Sequence, residues 1–408
     1  MSFSNKNFKY YFFGSSISNI GNGMQFTANA WLALKFTGEA SSVGWIMVLT
    51  MLPNIVLAPF IGVFVDRIER KFISVAVDVF RFLILSTVTL LFLNGYQSVS
   101  LLYVMTGLLA IGDRIYSIVT PALVREIVSP KDLLKSNSLL ASWNQIGYLL
   151  GATIGSLILY WYSGGLVFFI NAITFLISAT YTQQIKKYSL KNNNSNKKSF
   201  FYDIKEGFQT VSKNEILILT YLIILGLNST VRTINVLLAP FIKEYLNNKA
   251  INFGIIDACF AVGAVLGNYL LIKSTRKLGD FKTLFYGVIG VFTFLIFFSM
   301  SNTLLIAMIC YLFIGINFQS RIILVTLAQS LVNTKIIGRV ESLFALLNSI
   351  FSMIIYLIMG YGADLISTRW MYIIQAIIIL ACCVGVIRLY GLIKVQKKAV
   401  INNNISVK

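Results

Sequence analysis

The sequence predicts an all-α polytopic membrane protein with twelve transmembrane helices in two six-helix bundles. Three observations lead there. The 408 residues are 57% hydrophobic and only 12% charged, with a mean hydropathy of +0.78. A soluble domain is about 45–50% apolar and about 25% charged, so this chain has too few charges to cover a surface facing water. Its apolar runs repeatedly reach the roughly 20 residues that a spanning helix needs. They are too long and too uniformly apolar for a β-barrel, whose segments alternate over about ten residues.

Taken in order, the spans are expected near 10–34, 41–64, 72–93, 99–121, 137–160 and 165–185, then 215–240, 252–272, 283–300, 304–330, 340–362 and 370–393. Between the sixth and seventh lies the longest polar stretch, 186–213, which is rich in Asn, Lys and Ser at its start. That start reads as a flexible linker. From about Ser199 onward the pattern fits an amphipathic helix lying at the membrane surface. The expected organisation is therefore an N-terminal bundle over 1–185, a cytoplasmic linker over 186–213 and a C-terminal bundle over 214–408. Two equal halves joined this way are the layout of a transporter built from repeats.

Charge sets the orientation. The chain has 34 Lys and Arg against 15 Asp and Glu, a formal net charge of +19. With both termini inside, the inner segments hold 25 of the basic residues. The outer segments hold four: Lys35, Lys243, Lys249 and Arg369. The positive-inside rule then places both termini in the cytoplasm and the protein in the cell membrane. The same rule accounts for the basic excess without a nucleic-acid partner. There is no His, which excludes His metal ligation and a His proton relay. Cys259, Cys310, Cys382 and Cys383 sit in apolar runs without a CxxC spacing, so neither a disulfide framework nor a zinc site is expected. The N-terminal MSFSNKNFKYYFF lacks the short apolar core and small-residue cleavage site of a removable signal peptide. No GxxxxGK[ST] loop is present, which argues against direct ATP drive. No cofactor is expected.

After span two the chain reads Gly62-Val-Phe-Val-Asp66-Arg67-Ile-Glu-Arg70-Lys71. This matches GxxxDRxxRK, the loop signature between helices two and three of the major facilitator superfamily, and it falls at the expected place on the positive side. Further stretches resemble the branch containing macrolide efflux proteins and enterobactin-type siderophore exporters. They are Asp78-Val-Phe-Arg81 in span three, Pro121 to Val124 leaving span four, Leu134 to Ser138 opening span five, and Gly338-Arg339-Val340 before span eleven. The echo after span eight, Lys273 to Asp280, is degenerate. Two positions depart from the pattern. Helix one often carries Gly-Asp and here has Gly21-Asn22. The GxxxGPxxGG of antiporters is reduced to Gly147, Gly151 and Gly155, with Ala152 in place of Pro. Small residues four apart also serve simply to let helices approach.

The resemblance implies a conformational latch of Gly62, Asp66, Arg67, Arg70 and Lys71 with Gly338 and Arg339. In the family the Asp66 carboxylate faces the positive end of helix eleven, an interaction worth about 0.3–1 kcal/mol, more when partly buried. Arg67, Arg70 and Lys71 would tie the loop to neighbouring helices and lipid phosphates.

It also implies that helices one, four, seven and ten line a central cavity. Polar residues on those spans support this independently. Span one has Asn22 and Asn29, with Gln25 slightly off the stripe. Span four has Asp113, Ser117 and Thr120. Span seven has Asn228, Arg232 and Asn235, and span ten has Asn317 and Arg321. Offsets of four and seven share a helical face, and each stripe starts roughly 20 Å into its span. Asn residues alone could equally be packing glue between helices. Charged groups at this depth are costly and usually face an interior cavity. Asp78 and Arg81, three apart, can pair on one face of span three and read as structural. Asp113 and Asp257 are the candidate proton-coupling acids, Asp113 first because it opens the stripe of a cavity helix.

The expected function is a monomeric secondary transporter that exports a small organic molecule, siderophore-, antibiotic- or drug-like, by alternating access, with protons as the coupling ion and lipids as its surroundings. The alternatives are a lysophospholipid flippase or an importer of the same fold, and more remotely a lipid scramblase or an intramembrane enzyme. The absence of His and of a paired-carboxylate motif argues against the enzyme.

Overall fold

A computed structural model describes residues 5–57, 68–186, 200–212, 214–247, 249–333 and 336–406. Gly62, Asp66 and Arg67 lie outside the described residues. Every regular element among the described residues is helical: α1 (Lys6–Thr37), α2 (Ala40–Val56), α3 (Arg70–Leu93), α4 (Val99–Ile127), α5 (Leu133–Trp161), α6 (Gly164–Gln183), α7 (Phe200–Ser212), α8 (Glu215–Tyr245), α9 (Ala250–Leu278), α10 (Asp280–Ser299), α11 (Leu304–Phe318), α12 (Arg321–Leu331), α13 (Ile337–Leu365) and α14 (Thr368–Ser406). Spans one to six correspond to α1–α6. Span seven is α8, span ten is split between α11 and α12, and α13 and α14 are spans eleven and twelve. The short α7 occupies the later part of the linker.

Polar side chains punctuate the helices where the sequence offers caps. Asn5 accepts from the backbone N–H groups of Asn7 and Phe8 at the start of α1. Ser98, Ser163 and Thr303 do the same for α4, α6 and α11. These side chains satisfy donors that have no partner within the helix. At the far end of α1, Gly38 takes φ +82, and its N–H bonds to the Leu34 carbonyl, the left-handed closure that glycine allows.

Nine helices among the described residues are long and apolar enough to cross a membrane, counting α11 and α12 as one, and α2 is a shorter apolar helix. The long helices α1 and α5 fall below that apolarity because they carry many Asn, Ser and Gly residues. The reason is local: one face of each packs closely on the other. A Cβ on Gly151 would stand 2.0 Å from the Ile20 carbonyl oxygen, and one on Gly23 would stand 2.0 Å from that of Tyr148. Gly155 meets the Met24 backbone in the same way. The Gly147, Gly151, Gly155 stripe is therefore the surface along which the two backbones touch, the small-residue packing seen between membrane helices.

The chain forms two compact units. Unit 1 is Met1–Asn196 with Leu238–Ala258, and unit 2 is Lys197–Leu237 with Cys259–Lys408. In both, large apolar side chains stand exposed, and the interior, though mostly apolar, also holds polar side chains. Leu83, Leu90 and Val104 in unit 1 and Val265 and Ile377 in unit 2 are exposed, whereas Asn171, Ser178 and Thr27, and Thr233 and Gln375, are buried. Lipid is as apolar as leucine, so helix association relies on packing and on hydrogen bonds between helices.

Candidate functional site

The residues at mid-depth in unit 1 form a connected set. Arg81 on α3 is 2% exposed and sits between two carboxylates. Its Nη1 is 3.3 Å from Asp78 Oδ1, and its Nη2 is 2.8 Å from Asp113 Oδ1 on α4. Asp78 is fully buried and also accepts from Ser178 Oγ of α6 at 2.7 Å. The guanidinium lies 4.8 Å from the ring centre of Tyr116 and 5.1 Å from that of Phe175, within cation–π range. Gly112 makes the approach possible, because a Cβ there would sit 3.1 Å from Arg81 Nε. A buried cation thus joins α3, α4 and α6, with each charge compensated by a hydrogen-bonded partner.

Asp113 differs from Asp78 in one respect: its side chain is 58% exposed. It opens onto a cavity of about 300 Å³ within unit 1, lined also by Asn19, Asn22, Gln25 and Asn29 of α1 and Thr106 of α4. Asn29 donates to Thr106 Oγ1 at 3.2 Å, while its own buried Oδ1 has no hydrogen-bond partner among the described residues. Gln25 Oε1 accepts from Asn171 Nδ2 at 2.7 Å, linking α1 to α6. Gly21 makes room for Asn171, whose Oδ1 would be 1.9 Å from a Cβ at that position. The cavity therefore presents carboxamides and one carboxylate, able to accept and donate hydrogen bonds on one wall. Ser117 bonds to the Arg114 carbonyl at 2.7 Å and is not part of this lining. Asp257 is half-buried on α9, one turn beyond Phe253, whose ring stands 6.4 Å from that of Phe26.

Unit 2 presents positive charge instead. Arg232 Nη1 donates to Tyr356 OH at 3.2 Å. Arg321 is the first residue of α12, at the break in span ten, with its guanidinium 4.8 Å from the Phe318 ring centre. Neither arginine has an acidic partner among the described residues, and the Nε of each is buried without a hydrogen bond. Asn228 donates to Asn348 Oδ1 at 3.1 Å, joining α8 to α13. Asn235 is half-buried two turns on. Asn317 bonds to the Phe313 carbonyl of its own helix and packs against Gly290 of α10.

The described parts of the loop signature are engaged within their own units. Arg70 pairs with Glu126 of α4, and Lys71 Nζ donates to the Ile185 carbonyl at 2.8 Å. Arg339 pairs with Glu206, fastening α7 to α13, while Gly207 packs on the Arg339 carbonyl. A Cβ on Gly338 would meet nothing within 4 Å among the described residues.

Sequence reasoning kept Arg81 apart from Asp113, yet their depths carried the signal. Arg81 is twelve residues before the end of α3 and Asp113 fourteen after the start of α4. Across a short turn, antiparallel helices bring residues at equal distances from that turn to one level. Asn171 and Gln375 were also missed. Gln375 of α14 bonds to Ser229 and Thr233 of α8, so each unit ties its first span to its last through a buried carboxamide.

The chain matches the sequence model of the Major Facilitator Superfamily over residues 11–350, with a second match over 221–404. It is 26% identical over 347 residues to a candidate bacilysin exporter, BacE, of Bacillus subtilis (strain 168), covering 82% of this chain and 83% of that one. It is 22% identical over 383 residues to macrolide efflux protein A of Streptococcus pyogenes, covering 92% and 93%. Among solved structures, the nucleoside transporter NupG aligns with a TM-score of 0.76 at 12% identity, over 94% of this chain and 99% of that one. A bacterial homologue of the iron transporter ferroportin in its inward-facing state gives 0.74 at 17%, over 94% and 98%. The chain belongs to the major facilitator superfamily: it is a twelve-helix membrane transporter and not an enzyme.

Proposed function

We propose that the protein exports a small organic molecule by proton-coupled antiport, with Asp113 as the proton carrier. The observation that carries the reading is the position of Asp113. It is the exposed carboxylate of the unit 1 cavity, held by buried Arg81 and surrounded by carboxamides. A carboxyl group so placed can take a proton from the cavity and, on losing it, return to its ion pair. Arg232 and Arg321 lack acidic partners among the described residues and suit a cargo with anionic or oxygen-rich groups, since charge-assisted hydrogen bonds are worth about 1.5–3 kcal/mol. The relatives named for bacilysin export and macrolide efflux support the outward direction. Asn22, Gln25 and Asn29 serve as cargo contacts. Asp257 is the second acid of interest. The protein works as a monomer in the cell membrane with both termini cytoplasmic.

The test is uptake of a macrolide or bacilysin into inside-out vesicles under an imposed pH gradient, acid inside. Accumulation that collapses with the gradient supports the reading. Accumulation unchanged by dissipating the gradient overturns the coupling, and gradient-independent lipid exchange would mark a scramblase.

A further inference from the structure

Unit 2 carries a second concavity, remote in its chemistry from the polar residues at mid-depth. It is a groove of about 590 Å³ between the last turns of α9, the first turns of α10, α12 and the later part of α14. Its walls are aliphatic, with Leu271, Leu284, Leu324, Val386 and Leu389 among them, and Phe281 stacks on Tyr390 at 4.0 Å within it. The break at Gln319–Ser320 makes α12 a separate helix, and one side of α12, from Ile322 to Ser330, forms one wall. The cavity is of ligand size, but its polar groups are few: Thr275, Thr326, Ser330, Asp280 and the Tyr390 hydroxyl.

Charge gathers at one end of this groove. Arg276 is one turn beyond Ile272 on α9, and Lys394 is one turn beyond Tyr390 on α14. Both therefore continue the faces that line the groove, and both are exposed. Lys273, Lys277 and Lys282 lie on the same helix ends and are exposed too. By contrast, Arg388 on α14 is already paired with Glu215 at 2.6 Å. Asp280 also lines the groove, as the first residue of α10, where its carboxylate faces the positive end of its own helix. An apolar slot ending in cations from two walls matches a molecule with a hydrocarbon chain and an anionic head.

We propose that this groove holds one anionic phospholipid, with an acyl chain between α9, α10, α12 and α14 and its phosphate against Arg276 and Lys394. The site is independent of the transported cargo. Each basic residue near an anionic lipid contributes about five-fold in affinity, so removing two should cost about twenty- to thirty-fold.

The test is native mass spectrometry of the delipidated full-length protein, titrated with phosphatidylglycerol and with phosphatidylethanolamine of matched chains. One phosphatidylglycerol should be retained in preference to phosphatidylethanolamine. The double variant Arg276→Ala/Lys394→Ala should lose twenty- to thirty-fold in affinity for it, and Leu327→Trp, which fills the groove, should abolish retention. The pair Lys131→Ala/Lys135→Ala, exposed cations of unit 1, should leave it unchanged. Equal retention of the two lipids, equal loss in the control pair, or full retention in Leu327→Trp would each overturn the site.

Discussion

Replacing Arg81 tests the proposed division between a structural carboxylate, Asp78, and a proton-carrying one, Asp113. In Arg81→Met the side chain volume is nearly kept, but Asp78 loses its cation while remaining fully buried. Removing one partner of a buried pair costs about 3–5 kcal/mol, because the charge left behind is uncompensated. Asp113 loses the same partner, yet its side chain is 58% exposed to the cavity, so water can solvate it and it adds little to that cost. The penalty should therefore be relieved by neutralising Asp78 alone. Asp78→Asn/Arg81→Met should recover to within about 1 kcal/mol of the parent, since a neutral isostere no longer needs a cation. Asp113→Asn/Arg81→Met should recover almost nothing. The assay is thermal unfolding of the purified protein in detergent, at equal protein concentration for all variants. Rescue by Asp113→Asn equal to that by Asp78→Asn would refute the division of roles.

Other outcomes follow from the same geometry. Gly151→Leu should destabilise unit 1 by about 1–3 kcal/mol or prevent its folding, because even a Cβ overlaps the Ile20 carbonyl; expression with a normal melting profile would contradict the α1–α5 contact. Gln375→Leu should cost about 1–3 kcal/mol by stranding the buried Thr233 hydroxyl and leaving Ser229 only its bond to the Gly226 carbonyl, which the same melting assay reads. Arg232→Ala and Arg321→Ala should each weaken transport of an anionic cargo at least tenfold more than that of a neutral analogue, as loss of a charge-assisted contact requires. Equal losses for both cargoes would assign these residues to packing.

Much of the architecture was legible because lipid imposes a simple rule: runs of about 20 apolar residues must be helices. By that rule α1 and α5 are the weaker spans, since Gly and Asn residues in them serve contact with each other. The split of span ten was not legible. Phe318 to Arg321 contains neither Gly nor Pro, so no local breaker marks the end of α11. Within the site, the charged residues at depth were visible one by one, but their pairing needed helix adjacency. Spacing along one helix identified Asp78 with Arg81. It could not show that the same guanidinium also reaches Asp113 on α4. Thr106 and Tyr356 carry no charge or unusual spacing, and they become informative only through what they hold, Asn29 and Arg232.

The central claim, that Asp113 carries the coupling proton, is tested most directly in proteoliposomes containing either the parent protein or Asp113→Asn. Two modes are measured with a macrolide or bacilysin: transport driven by a pH gradient, and counterflow exchange of labelled for unlabelled cargo without a gradient. Exchange needs no net proton movement, so Asp113→Asn should lose the first mode and keep the second. Gradient-driven transport in Asp113→Asn equal to the parent would place the proton elsewhere, and Asp257 would be the next acid to replace.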